Sequence, residues 1–183
     1  MNFAFPRQEI IAALSWMTAK YIGSRHRKYA ARGLALSTQQ RATMAGFFSA
    51  ELLGAARIVE LRQERLVNPR LYAIVQRLAG GALLQASNLK AITFSDTIVS
   101  QGPCSTQTLF HELVHVEQFR QLGATAFSEL YVRGFAKSGS YEHIPLEEHA
   151  YELELRFARD PSNAFPVTDD VAAWVRASVP SRA

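Results

Sequence analysis

The segment His111-Glu112-Leu113-Val114-His115 constrains this chain more than any other stretch. Two histidines four residues apart on a helix project from one face, one turn apart. At that spacing both imidazoles can reach a single ion at roughly 2.0–2.1 Å, the bond length zinc requires. Glu112 is rotated about 100° around the helix from His111. Its carboxylate can therefore sit beside such an ion without ligating it, where it can take a proton from a metal-activated water. Leu113, Val114, Val116 and Phe119 cover the other faces, and their burial would hold the imidazoles still. The plain alternative is two surface histidines on a helix beside an ordinary glutamate.

The helix around this segment is well marked. Gly102-Pro103 breaks the chain, Ser105 or Thr106 can cap a helix start, and Gly123 follows Leu122 as its stop. Elsewhere the pattern predicts helices over about 7–22, ending at Gly23, and over about 38–53, capped by Ser37-Thr38 and ended by Gly54. Further helices are predicted over 69–78, near 127–137, over 146–159 after Pro145, and in a short last segment holding Trp174. Ala56 to Leu61 reads as a strand, and Ala91 to Val99, β-branched with Ser95-Asp96 in its middle, as a hairpin or bulged edge strand. The expectation is an α+β chain, mostly helical, with a small sheet next to the 111–115 helix.

At 183 residues the chain suits one well-packed domain. Its charge is unevenly placed: residues 1–80 carry 12 Lys/Arg against 4 Asp/Glu, and residues 81–183 carry 8 against 12. The basic run Lys20, Arg25, Arg27, Lys28, Arg32 could meet nucleic acid or anionic lipid. No nucleic-acid motif accompanies it, which favours a solvated helical surface. A single cysteine, Cys104, excludes an intrachain disulfide. No uninterrupted apolar run approaches the roughly twenty residues of a membrane span. The apolar stretch Ile10 to Met17 fits an amphipathic first helix better than a signal peptide, so a cytoplasmic location is expected.

A catalytic zinc takes three protein ligands and keeps one position open. The third is sought in Pro145-Leu146-Glu147-Glu148-His149-Ala150-Tyr151, with Glu147, Glu148, His149 and the nearby His143 as possibilities. Here the sequence resembles the gluzincin-type metallopeptidases, in which an HExxH helix is followed about thirty residues later by a helix bearing Glu-x-x-Ala. Among these it is most similar to short metallopeptidase-like domains of unknown function found alongside bacterial contractile injection systems. The segment HELVHVEQ, from His111 to Gln118, and the strand Ala91-Ile92-Thr93-Phe94 with the apolar pair Ile98-Val99 carry the likeness, which covers roughly residues 56–158.

The resemblance implies a zincin-like core over 55–160, with 1–54 as an N-terminal helical cap and 161–183 as a C-terminal helix and tail. It implies Zn2+ held by His111, His115 and Glu147, with Glu112 as general base and Ala150 as the small residue that lets the two helices approach. The chain departs from the family pattern at Tyr151, where an aspartate that orients the first histidine is common; the Tyr151 hydroxyl could supply that bond, or another residue could. Tyr131, Arg133, Tyr141 and His143 are candidates to stabilise an oxyanion. Cys104 could cap the metal in a latent form, although a half-buried thiol is the simpler reading.

The function expected is hydrolysis of a peptide or protein substrate by a zinc metallopeptidase, with the strand at 91–94 holding the substrate. The alternative is a catalytically silent metal-binding or interaction module that retains the fold and works through the basic N-terminal surface. A third possibility is nucleic-acid association through residues 20–32.

Overall fold

The computed structural model describes residues 8–61, 64 and 89–178. The helix predicted over 69–78 lies outside them. The elements run α1 (Gln8–Ala30), β1 (Leu34–Ala35), α2 (Thr38–Met44), α3 (Ala50–Ala55), β2 (Arg57–Glu60), β3 (Ala91–Phe94) and β4 (Thr97–Ser100). Three helices complete the chain: α4 (Thr106–Ser138), α5 (Pro145–Arg159) and α6 (Val167–Ser178). The class is α+β, as expected.

The sheet is mixed, in the order β1-β2-β4-β3. β3 and β4 form an antiparallel hairpin across Ser95-Asp96, while β2 lies parallel to β4. Side chains alternate between the two faces of a strand, and this period delivers them to different neighbours. Thr93, Ile98 and Ile58 occupy one register face and look onto α4, where Thr93 reaches Glu112. Phe94 and Val99 occupy the other face. There Phe94 meets two rings of α1, Tyr21 at 6.1 Å edge-on and Tyr29 at 6.0 Å stacked. The hairpin is thus covered on both sides.

Two helix boundaries differ from the sequence pattern. α1 runs through Gly23 to Ala30 instead of stopping at Gly23. Gly23 keeps a helical backbone, and the added turns bury Tyr29 against the sheet, a gain that outweighs the propensity cost of about 1 kcal/mol for one helical glycine. The helix predicted over 38–53 is two helices. Ser37 caps α2 in a reciprocal capping box with Gln40, and Ser49 caps α3. The break between them turns Phe47 and Phe48 inward onto Phe110, at 5.5 and 5.2 Å. Gly46 sits where an added Cβ would lie 2.7 Å from the Ala164 Cβ.

Residues 38–55 therefore share a core with α4. That core also fastens α4 to α5: Phe110 stacks on Phe157 at 4.4 Å, directly beside His111 in sequence. α4 is broken where the sequence places its stop, with Gly123 in a left-handed conformation (φ 68°) that a side chain rarely adopts. Beyond the break the chain resumes as helix, and Phe127 stacks back on Phe119 at 3.7 Å. Gly134 in this second half lets the start of α5 close in, since a Cβ there would stand 2.5 Å from Pro145 Cδ. α5 is thereby held against both halves of α4.

Candidate metal centre

Ser105 accepts a hydrogen bond from the Thr108 backbone N–H at 3.1 Å, so the helix that bears the histidines starts at a fixed residue. His111 and His115 then stand one turn apart on its buried face. Pro145 opens α5, and Glu147 in its first turn points back at them. Ala150, fully buried between the helices, leaves room for that approach.

The three side chains converge. His111 Nε2 and His115 Nε2 lie 3.1 Å apart, and Glu147 Oε2 lies 3.4 Å from the first and 3.3 Å from the second. Donors at zinc bond lengths and tetrahedral angles lie about 3.3 Å apart, so this triangle has the size a shared ion needs. Among the described residues these three form the group able to hold a metal.

The outer hydrogen bonds decide which atoms of the triangle can donate. His111 Nδ1 lies 3.0 Å from Glu154 Oε2. An ionised carboxylate only accepts, so Nδ1 carries the proton and Nε2 presents a lone pair. His115 Nδ1 lies 2.8 Å from Gln118 Oε1, again an acceptor, with the same consequence. The buried Glu147 Oε2 has no hydrogen-bond donor. Three acceptor atoms thus face one another at 3.1–3.4 Å, an arrangement that repels unless a cation or a proton is shared between them.

The acid–base balance reflects this. Burial pulls the His111 pKa down, but the Glu147 and Glu154 carboxylates more than offset it and push it up to about 10. His115 is raised too: burial opposes, and the Glu147 charge prevails. Burial likewise works against ionisation of Glu147, yet the two imidazoles hold its pKa well below the usual carboxylate range. The metal-free fold therefore keeps a proton on the imidazole pair that the unfolded chain gives up. A group whose pKa is raised by folding stabilises the fold fully below its unfolded value and loses that contribution as the pH passes its folded value. Without metal, the Tm should fall as the pH rises from about 6.5 to about 10. Thermal melts at several pH values, with and without bound metal, check this; a flat metal-free profile would contradict it.

Glu112 lies beside the triangle and outside it. Its Oε2 accepts from the Thr93 hydroxyl at 2.7 Å, and its own backbone carbonyl lies 3.2 Å from the same oxygen. Burial raises its pKa, against the pull of both imidazoles and the Thr93 hydroxyl.

The other sequence candidates separate clearly. Glu148 is exposed and faces His143 at 3.3 Å, so neither points at the histidine pair. His149 stacks flat on Trp174 of α6 at 4.9 Å, and burial lowers its pKa to about 4. Tyr151 does not take the aspartate's place: its ring lies against His111 at 4.6 Å, and Glu154 makes the bond to Nδ1. Of the proposed oxyanion partners, Arg133 is paired with Glu129 at 2.9 Å. Tyr141 lies by Glu147, and burial, then that negative charge, pushes its pKa well above normal. Tyr131 stands edge-on to Tyr141 at 6.4 Å.

Cys104 is half-buried, its pKa pushed up to about 12 by burial and then by Glu112 and Glu60, which makes it a poor thiolate ligand. His26 belongs to the fold, pairing with Asp96 at 2.7 Å. Much of the basic run is also engaged: Lys20 over Trp16, Arg25 over Tyr21, Lys28 and Arg32 on Glu64. Among the described residues no helix is long and apolar enough to cross a membrane.

Gln118, Glu154 and Thr93 were not assigned roles from sequence. Glu154 had a legible signal, since it lies seven residues after Glu147 and so two turns on along the same face. Gln118 had a similar one, three residues after His115. Compared with protein-family models, curated proteins and solved structures, the chain has no match in any of the three.

Proposed function

We propose that this chain is a zinc-dependent metallopeptidase that hydrolyses peptide bonds, with His111, His115 and Glu147 as the metal ligands and Glu112 as general base. The observation that carries this reading is the convergence of three acceptor atoms within 3.4 Å, with a fourth, non-ligating acid held beside them. Two imidazoles and one carboxylate with room for an exchangeable ligand is the donor set of catalytic zinc. Zinc bound there would polarise a peptide carbonyl and make a water acidic enough to be deprotonated near neutral pH.

The chain's own groups supply the rest. Glu112 takes the proton from the attacking water and returns it to the leaving amine. Thr93 aims that carboxylate, because its hydroxyl donates to Oε2. Tyr141, beside Glu147, is the hydroxyl best situated to donate to a carbonyl oxygen as it gains negative charge. β3 is an edge strand of the described sheet. The bond from Gln101 N–H to the Lys90 carbonyl at 2.9 Å sets the ladder's alternation. Ala91 and Thr93 then turn their backbone N–H and C=O away from β4, and since no strand among the described residues pairs with that edge, it could take up an extended substrate.

One observation favours the second reading, a metal-holding module without turnover: the ligand side chains keep only 10%, 6% and 4% of their exposure. The test is metal removal. The purified protein should contain about one zinc per chain by elemental analysis and cleave an unfolded protein substrate. Chelation should abolish cleavage and stoichiometric zinc should restore it. Bound zinc without cleavage would support the silent module. A different metal, such as iron(II), which two histidines and a carboxylate also suit, would overturn the peptidase reading.

A further inference from the structure

Gln118 is completely buried one turn beyond His115, and every polar atom of its amide is engaged. Its Oε1 lies 2.8 Å from His115 Nδ1. Its Nε2 lies 3.1 Å from the Leu146 carbonyl oxygen and 3.3 Å from His149 Nδ1. A backbone carbonyl can only accept, so the NH2 end of the amide must face Leu146. The oxygen end must then face His115, and an oxygen there requires a proton on Nδ1. A proton at Nδ1 leaves the lone pair at Nε2, toward Glu147. The second amide hydrogen goes to His149, whose ring is held flat against Trp174 at 4.9 Å. Turning the amide over would set oxygen against the Leu146 carbonyl oxygen, so its orientation is dictated.

Leu146 immediately precedes Glu147. The carbonyl that orients Gln118 therefore belongs to the same turn of α5 that presents the third ligand. We propose that Gln118 is a positioning residue that locks the proton of His115 on Nδ1 and ties that ring to the register of α5, so that the His115 and Glu147 donor atoms reach the metal together. This assignment rests on the metal reading above for its consequence. It differs from the role of Glu154 at His111, where a carboxylate orders one ring and no backbone group of the ligand helix takes part.

The test uses the full chain and two measurements. In the metal-free parent at pH 7, where the imidazole pair holds its extra proton, the deciding signal in nitrogen NMR is a His115 Nδ1–H coupled across a hydrogen bond to the Gln118 side chain. Gln118→Met keeps the volume and removes both the acceptor and the donors. It should weaken zinc binding about 10- to 100-fold in competition with a chromogenic chelator, the usual effect of losing a partner of a metal-bound histidine. It should also remove the coupled Nδ1–H signal of His115 and let the ring take more than one orientation. A His115 Nδ1–H in the parent that shows no coupling to Gln118 overturns the proposal, as does a folded Gln118→Met protein that binds zinc as tightly as the parent. If that variant does not fold, the parent spectrum alone decides. If the parent binds no zinc, the metallopeptidase reading fails while the His115 spectrum still judges Gln118.

Discussion

A Glu112→Gln protein is expected to hold zinc as tightly as the parent and to lose peptide hydrolysis by about 10²- to 10⁴-fold, the usual worth of a general base. The expectation follows from where Glu112 lies. Its carboxylate is not one of the three converging atoms, and the Thr93 hydroxyl donates to it. An amide oxygen can accept from Thr93 as the carboxylate does, so the substitution removes a proton acceptor and leaves the packing alone. Zinc content by elemental analysis and cleavage of an unfolded protein substrate check the two halves separately. Cleavage at the parental rate by the zinc-loaded variant would show that Glu112 is not the base.

Glu147→Gln should have the opposite signature. Its carboxylate supplies the charged corner of the triangle, 3.3 and 3.4 Å from the imidazole nitrogens. A neutral amide is a far weaker ligand. Zinc affinity should fall by more than the roughly 100-fold that marks the upper end for an outer partner. The same substitution should flatten the pH dependence of the metal-free melt, because the Glu147 charge is among the largest forces holding the proton on His111 and His115. Glu148→Gln serves as the control: that side chain is exposed against His143, and its loss should leave both measurements unchanged. If Glu148→Gln rather than Glu147→Gln released the metal, the assignment of the third ligand would be wrong.

These contrasts depend on distinctions that sequence spacing could not make. The pairing of His111 with His115 and the placing of Glu112 were legible because a helix has a fixed period and this one is bounded by Ser105 and Gly123. Glu147 emerged from a likeness of pattern, with Glu148, His149 and His143 still open. The structure separates them by burial, with Glu147 inside, Glu148 and His143 in solvent, and His149 committed to Trp174 and Gln118. α1 and the predicted 38–53 helix show the same limit. Each boundary moved because a ring, Tyr29 in one case and Phe47 with Phe48 in the other, gained more from a distant partner than the local signal was worth.

By itself the sequence determined what repeats along the chain: which residues share a helix face, the caps at Ser37 and Ser105, where glycine breaks α4, and that the 91–99 run is β structure. Those are matters of period and backbone freedom, though the Ser49 cap went unread and 91–99 could equally have been a bulged edge strand until the fold chose the hairpin. The tertiary structure decided which faces meet. It set Thr93 against Glu112, Glu154 against His111 and Leu146 against Gln118, pairs separated by 19, 43 and 28 positions. The reason is physical: a buried polar atom must find its partner, and only the packing of α4, α5 and the sheet determines which atom is within reach.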